Sequence, residues 1–167
     1  MRLLTPAILL IAALALAACN NPRGGGEDAD AWGGDDAIGS TALGDPNDPD
    51  SIAHFNEMIG DRVFFTVDQT DLSDEARETL RDQASWLNRN PQFAILVEGH
   101  ADERGTREYN VALGARRANS VQEYLVEQGV EDSRIRTVSY GKERPVEACA
   151  EQRCWDLNRR AVTVVSR

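Results

Sequence analysis

The sequence predicts an α+β sandwich in which helices pack on one side of a small mixed sheet, in the element order β-α-β-α-β-β. One observation is that two segments with helical apolar spacing alternate with short runs of β-branched and aromatic residues. Another is that Asn90-Pro91 and Gly129 stand where helices are expected to stop. Near Phe55 the composition also changes from Gly- and Asp-rich to globular.

The first strand and the first helix come soon after that change. Residues 63–67 are mostly β-branched or aromatic, which predicts a strand. Ser73 is a good N-cap, and the acidic side chains of Asp74 and Glu75 suit the first turn of a helix. The residues expected to form the buried face of this helix are Ala76, Leu80, Ala84 and Leu87.

The second half of the chain supplies three strands and a longer helix. The spacing predicts strands over 93–99, 135–140 and 161–165, a helix over 107–128, and a short helical turn near 155–159. One face of the first of these strands is expected to carry Phe93, Ile95 and Val97. The apolar stripe expected on the helix consists of Val111, Ala115, Ala118, Val121 and Leu125.

Charge is unevenly distributed along the chain. Its 28 acidic and 18 basic residues give a formal net charge of -10. Residues 27–50 contain many acidic side chains and neither Lys nor Arg, so much of the excess lies ahead of the globular pattern. Nucleic-acid binding requires a basic face that neutralises phosphates, and the composition argues against that class of partner.

The first residues have the features of an export signal. Arg2 is followed by an apolar run over residues 7–16 and then by two alanines before Cys19. The run is shorter than the roughly 20 residues that span a bilayer. Residues 16–19, Leu-Ala-Ala-Cys, resemble the bacterial lipobox, which implies a signal peptide over 1–18 and acyl chains on Cys19. The alternative is an ordinary cleaved signal or a short anchor.

A tether is expected between this signal and the folded domain. Residues 19–54 are rich in Gly, Asp, Asn and Pro, and such a stretch buries too little apolar surface to offset its ordering entropy. We therefore predict a lipidated, disordered tether over 19–54 and one folded domain over 55–167. About 32 flexible residues span on the order of 30 Å, and about 105–115 Å when taut.

The segment between the second strand and the second helix carries the candidate site. Its position at the start of a helix favours an anion, because backbone N–H groups and the helix dipole point there. Asp102 in this segment and Arg117 on the helix could together bracket a zwitterion. Gly99 and Gly105 permit unusual backbone angles or a close backbone approach.

Other interpretations stay open from the residues alone. Asp102 could simply cap the helix while Arg117 forms a surface ion pair. Glu98, His100 and Asp102 share strand parity and could hold a metal, although no His-rich ligand spacing is present. A serine hydrolase is disfavoured because the sequence contains no G-x-S-x-G elbow.

The two remaining cysteines lie close together near the C-terminus. Cys149 and Cys154 bracket a short loop between the last two strands, which predicts one disulfide and an oxidising compartment. Their spacing differs from the Cys-x-x-Cys of oxidoreductases, so a loop staple is favoured over a redox site. Closing a ring of about six residues contributes roughly 2 kcal/mol in the chain-entropy model.

Several blocks of the chain match one known domain in the same order. The first blocks are Gly99-His100-Ala101-Asp102-Glu103-Arg104-Gly105-Thr106, Tyr109-Asn110, Leu113-Gly114 and Arg116-Arg117-Ala118. Residues 138–145 and 158–162 match later blocks. Together they resemble the OmpA-like peptidoglycan-binding domain family, over roughly residues 62–165.

This resemblance implies a ligand and a set of contacts. The ligand in the family is the free end of diaminopimelate in the peptidoglycan stem peptide. The family aspartate that takes the ammonium falls on Asp102, and the arginine that takes a carboxylate falls on Arg117. One acid and one bidentate guanidinium suit a compact zwitterion, and Lys would fit less well. Further ligand contacts fall on Val67 (a Phe in closely related members), Asp68, Asn110 and Leu113.

The resemblance also implies partners and a location. It predicts a non-enzymatic lipoprotein facing the periplasm, held in the outer membrane by the lipid on Cys19, with no other cofactor and no metal. The expected partners are peptidoglycan, outer-membrane lipid and the periplasmic propeller protein of the Tol system, in support of envelope integrity and cell division. The alternatives are a lipoprotein of this domain family without a Tol role, or a hydrolase acting on the cell wall.

Overall fold

The structure, a computed structural model, describes residues 43–167, and these form one α+β domain. A short helix α1 (Ile52–His54) continues as a π-helical turn (Phe55–Gly60). The main helices are α2 (Asp74–Arg89) and α3 (Arg107–Glu127), with a 3₁₀ turn at Asp132–Arg134 and a last helix α4 (Gln152–Asn158). The four strands are β1 (Arg62–Phe64), β2 (Ala94–His100), β3 (Ile135–Gly141) and β4 (Arg160–Ser166).

The strands form one mixed sheet in the order β1-β4-β2-β3. β4 pairs antiparallel with both β1 and β2, whereas β2 pairs parallel with β3. A parallel pair requires a long crossover, and α3 provides it. The predicted fold class, an α+β arrangement of helices on a small mixed sheet, is confirmed.

Helix α2 begins and buries its face as the sequence predicts. The Ser73 side chain accepts a hydrogen bond from the backbone N–H of Ala76, which satisfies one of the free donors of the first turn. The four predicted apolar positions are buried. Gln83 is buried beside them because its amide donates to the Gly60 carbonyl at 2.7 Å and accepts from the Thr163 hydroxyl at 2.9 Å.

Helix α3 buries a different stripe from the predicted one. Ala118, Val121 and Leu125 are buried as expected, but Val111 is exposed. The buried face runs instead through Asn110, Leu113, Gly114, Arg117, Ala118, Val121, Tyr124 and Leu125. An apolar-only search misses this face because two of its members, Asn110 and Arg117, are polar and become buried through hydrogen bonds to backbone carbonyls.

Residues 45–51, which lie ahead of the predicted domain boundary at Phe55, form turns that contact α2. Asp45 and Asp48 close successive turns by accepting backbone hydrogen bonds from residues two positions on. The indole N–H of Trp86 then donates to the Pro49 carbonyl at 2.7 Å. The last part of the predicted tether is therefore folded onto α2, because Asp and Pro supply turn geometry as well as polarity.

The predictions for residues 1–42 lie outside the described part of the chain. They comprise the signal peptide over 1–18, the acyl chains on Cys19 and the tether from residue 19 up to residue 42. Among the helices of residues 43–167, none is long and apolar enough to cross a bilayer.

Candidate ligand site

One cavity of about 300 Å³ lies where the chain leaves β1 and β2 and enters α3. It is lined by Val67, Asp68, Asp102, Arg104, Gly105, Tyr109, Asn110, Leu113, Arg117 and Arg159. All six predicted ligand contacts are therefore brought together in one place. Two carboxylates and three guanidinium groups share this small volume, so the cavity is suited to a ligand that carries both signs of charge.

The Asp102 carboxylate is buried and fully hydrogen-bonded. Its Oδ1 accepts from the backbone N–H of Arg104 at 3.1 Å and from Arg104 Nε at 3.2 Å. Its Oδ2 accepts from Arg104 Nη2 at 2.6 Å and from Arg159 Nη1 at 3.0 Å. Burial acts to raise the pKa of Asp102, but the hydrogen bonds from Arg104 and Arg159 outweigh it and hold the pKa below its usual value. Asp102 is thus an ionised carboxylate whose position is fixed by hydrogen bonds from two arginines.

Arg117 reaches the cavity from the middle of α3. Its guanidinium donates to the carbonyls of Gln69 at 3.0 Å, His100 at 2.8 Å and Thr66 at 3.1 Å. Three of its five N–H groups are used in this way, which leaves one on each Nη. Burial, with the neighbouring charge of Arg159, lowers the pKa of Arg117 to about 10, so the side chain remains a cation at neutral pH.

The segment after β1 forms one wall of the cavity. Asp68 has a left-handed backbone (φ 58°), and its carboxylate accepts a hydrogen bond from the Tyr109 hydroxyl on α3. Val67 beside it is half-exposed and separates the cavity from a larger apolar groove of about 910 Å³. The predicted contacts at Val67 and Asp68 therefore stand on a surface segment, next to buried contacts on α3.

The remaining predicted contacts, Asn110 and Leu113, line the cavity from α3. Asn110 is buried and donates to the Arg104 carbonyl at 2.8 Å, which fixes the segment that carries Asp102. Leu113 is buried one helical turn further along α3. Gly105 in this segment has φ +89°, a conformation that side chains rarely adopt. Asn110 thus joins α3 to the segment that carries Asp102.

Close contact between α3 and β2 sets the position of Arg117. A Cβ on Gly99 would lie 1.8 Å from the Gly114 carbonyl oxygen, and a Cβ on Gly114 would lie 2.4 Å from the Ser139 hydroxyl. Only glycine at both positions permits this approach. Since Arg117 follows Gly114 by one helical turn, the glycine contact brings its guanidinium to the His100 carbonyl.

The residues considered for a metal do not converge. His100 is buried with neither ring nitrogen hydrogen-bonded, and Glu98 Oε2 is 3.5 Å from its Nε2. Asp102 is directed to the arginines of the cavity. Over residues 43–167, no group of three His, Cys, Asp or Glu side chains is placed to hold a metal ion.

Two arginines of the cavity were not predicted from the sequence. Arg104 stands inside the matched motif, and Arg159 lies in the last matched block, 57 residues from Asp102. Arg159 is buried and also donates to the Phe65 carbonyl at 3.1 Å and to Asp156 on α4. Only the repeated presence of arginines in the matched blocks could have indicated them.

The predicted disulfide is present and is part of the surroundings of the site. Cys149 and Cys154 are joined, with their Cα atoms 5.8 Å apart, and Cys154 is the third residue of α4. The next residue, Trp155, donates its indole N–H to Glu103 Oε1 at 3.1 Å. The residue that follows the disulfide-closed loop therefore contacts the segment that carries Asp102.

Comparison with known proteins identifies the fold and its family. Residues 64–155 match the model of the OmpA family. The chain is 49% identical over 159 residues, 95% of its length, to the peptidoglycan-associated lipoprotein of Mesorhizobium japonicum, and the match covers 90% of that protein. The chain therefore belongs to the OmpA family. Its similarity along nearly the full length is to the peptidoglycan-associated lipoproteins, including that of Agrobacterium fabrum, at 50% identity over 96% of this chain and 87% of the other.

Solved structures agree with this placement. The crystal structure of the peptidoglycan-associated lipoprotein from Burkholderia pseudomallei superposes with a TM-score of 0.65 at 40% identity, covering 73% of this chain and 100% of that one. The C-terminal domain of Helicobacter pylori MotB gives a TM-score of 0.60 at 20% identity, over 64% of this chain and 84% of that one, and shares the fold.

Proposed function

We propose that this protein is an outer-membrane lipoprotein that binds peptidoglycan non-covalently through the free end of diaminopimelate. The observation that carries the proposal is that Asp102 and Arg117 line one small cavity together with every other predicted contact. The names of the relatives, which describe association with peptidoglycan, support the same ligand class.

The chemistry of the cavity fits a zwitterionic chain end. The Asp102 carboxylate is held ionised by its arginine neighbours and can accept hydrogen bonds from a ligand ammonium. Arg117 has two N–H groups beyond those spent on backbone carbonyls, and these suit a ligand carboxylate. Two of its carbonyl partners, on Thr66 and Gln69, belong to the exposed segment beside Val67, so that segment fixes the orientation of the guanidinium.

Anchoring completes the proposed role. Acyl chains on Cys19 hold the chain in the outer membrane, since several chains give stable attachment where one gives marginal attachment. Residues from 19 onward then span the distance to the wall, and the folded domain binds there. We further propose that the domain engages the periplasmic propeller protein of the Tol system and supports envelope integrity and cell division.

Binding, rather than hydrolysis, accounts best for the cavity. A glycoside hydrolase requires a carboxylic acid able to give a proton to the leaving group. The pKa of Asp102 is instead lowered by its arginine partners, so the group is an ionised carboxylate that attracts an ammonium and has no proton to give. We therefore propose retention of the wall polymer without its cleavage.

A pull-down with purified sacculi tests the site. Asp102→Asn is expected to lower retention about 10- to 100-fold, the equivalent of one charge-assisted hydrogen-bond set. Glu108→Gln is the matched control, because this exposed acid lies on the first turn of α3 and does not line the cavity. The supernatant is also assayed for muropeptides, whose release would favour the hydrolase.

Arg117 needs a milder substitution than alanine. Truncation leaves the buried His100 carbonyl without its donor and endangers folding. Arg117→Lys keeps the charge but not the bidentate fork, and retention is expected to fall at least tenfold. Arg116→Lys on the exposed side of the same helix is the control. Full retention by both Asp102→Asn and Arg117→Lys, with unchanged melting, would exclude this cavity as the binding site.

A further inference from the structure

The proposed ligand ammonium would bind at the Asp102 carboxylate, which we call the ammonium site. In the structure this site is already occupied by the Arg104 guanidinium. A carboxylate offers about four acceptor positions, and those of Asp102 are taken by three N–H groups of Arg104 and one of Arg159. A ligand ammonium can bind Asp102 only when one of these donors leaves. Which donor leaves is decided by how firmly each arginine is held.

Arg159 is held too firmly to leave. Its side chain is only 5% exposed and also bonds the Phe65 carbonyl and the Asp156 carboxylate. The Arg104 side chain is 40% exposed and makes its hydrogen bonds to Asp102 alone. Displacement of Arg104 therefore breaks fewer bonds and returns its charge to water, where ionic hydrogen bonds are easily replaced.

One other contact keeps Arg104 in place. Its guanidinium carbon lies 4.4 Å from the centre of the Trp155 ring, within the range of a cation–π interaction. Trp155 follows Cys154, a completely buried half of the disulfide, and its indole also bonds Glu103. The disulfide-closed loop thus places an aromatic surface beside the ammonium site.

We propose that Arg104, stacked on Trp155, is a built-in competitor that occupies the ammonium site of Asp102 in the free protein and is displaced by the ligand. This inference rests on the proposed function, because it concerns the same site. It assigns the Cys149–Cys154 loop a role in setting affinity: Trp155 stabilises the self-occupied state, and the ligand binds more weakly than the empty carboxylate would allow.

The opposite arrangement is a direct ligand contact by Arg104. In that arrangement the guanidinium would add to binding, and its removal would weaken affinity. The two arrangements therefore predict changes of opposite sign for one substitution. They also differ in their dependence on the ligand ammonium, because only competition requires the ligand to carry a cation.

Titration of the full-length protein with a soluble stem peptide that carries meso-diaminopimelate measures this sign. Arg104→Gln is expected to bind about three- to tenfold more tightly than the wild type, since an exposed bidentate competitor is lost. Trp155→Ala is expected to bind about two- to fivefold more tightly, the equivalent of one cation–π contact. Trp155→Phe, which keeps an aromatic ring but loses the indole N–H, is the matched control and should bind like the wild type.

A second probe removes the cation from the ligand. The same peptide with its free amine acetylated cannot compete for Asp102, and Arg104→Gln should give no gain with it. The proposal that Arg104 competes with the ligand is overturned if Arg104→Gln binds the unmodified peptide no more tightly than the wild type does. It is also overturned if Arg104→Gln gains as much affinity for the acetylated peptide. Asp102→Asn separates this result from the parent proposal. A wild type that does not bind the peptide, or an Asp102→Asn variant that binds it fully, contradicts the proposed function itself.

Discussion

His100 gives the domain a dependence on pH that can be calculated from its surroundings. The ring is 1% exposed, and neither nitrogen has a hydrogen-bond partner. Burial, followed by the nearby charges of Arg160 and Arg144, lowers the pKa of His100 to about 4, although Glu98 lies on the same strand. The folded state therefore holds this imidazole neutral, whereas the unfolded chain protonates it at its ordinary pKa of about 6.5.

The sign and size of the effect follow from linkage. Because the folded pKa of His100 is depressed, its contribution to stability is complete above about pH 6.5 and is lost as the pH falls toward 4. At pH 5 the expected loss is about 2 kcal/mol relative to pH 8, and it approaches about 3 kcal/mol near pH 4. Asp102, whose pKa is also lowered, acts in a separate window, because its contribution is lost only below the ordinary range of an aspartate near pH 4.

Urea unfolding followed by far-UV circular dichroism at pH 8, 6 and 5 measures this loss. The wild type should lose about 2 kcal/mol of unfolding free energy between pH 8 and 5, and His100→Gln should lose much less. A constant cost of the substitution cancels, because only the change with pH is compared. His54→Gln retains His100 and should retain the loss. Equal pH dependence in wild type and His100→Gln would refute the reasoning.

Two further predictions concern packing. Gly99→Ala should lower the unfolding free energy by about 2–3 kcal/mol and the melting temperature by about 10 °C, because the new methyl meets the Gly114 carbonyl; an unchanged thermal melt would contradict the close approach. Trp86→Phe removes the hydrogen bond to the Pro49 carbonyl and leaves a cavity in the core, because the indole is completely buried. It should lower the melting temperature and accelerate limited proteolysis within residues 45–51, and unaltered cleavage there would contradict the role of this hydrogen bond.

Local patterns were sufficient to predict the main helices and strands, although β1 (Arg62–Phe64) ends before the predicted residue 67 and α1 was not predicted. Ser73 and Asn90-Pro91 mark the ends of α2 because capping and the proline restriction act on neighbouring residues. Alternation over Phe93 to Val97 places β2 for the same reason. The contact of residues 45–51 with α2 was not predicted because the hydrogen bond from Trp86 to Pro49 joins residues far apart in the sequence, and no local pattern contains it.

The site residues were predicted only where they fall in sequence blocks that match the family. The resemblance assembled six residues that the structure shows around one cavity, although their roles toward a ligand stay predictions. Arg117 was expected to contact the ligand, but its hydrogen bonds to three backbone carbonyls also give it a structural role. The partnership of Asp102 with Arg104 and Arg159 depends on the folded geometry, since arginine is expected on the surface by default.

The position of the Trp86–Pro49 hydrogen bond has a mechanical consequence for the proposed link between membrane and cell wall. Pro49 is hydrogen-bonded to Trp86, whose ring stacks on Phe93 immediately before β2, whereas Asp102 follows the end of that strand. In the proposed role, tension between the lipid and the wall would enter and leave near opposite ends of β2, which are about 20 Å apart. The hydrogen bonds from β2 to β3 and β4 would then be loaded in shear, so that they share the force instead of opening one after another.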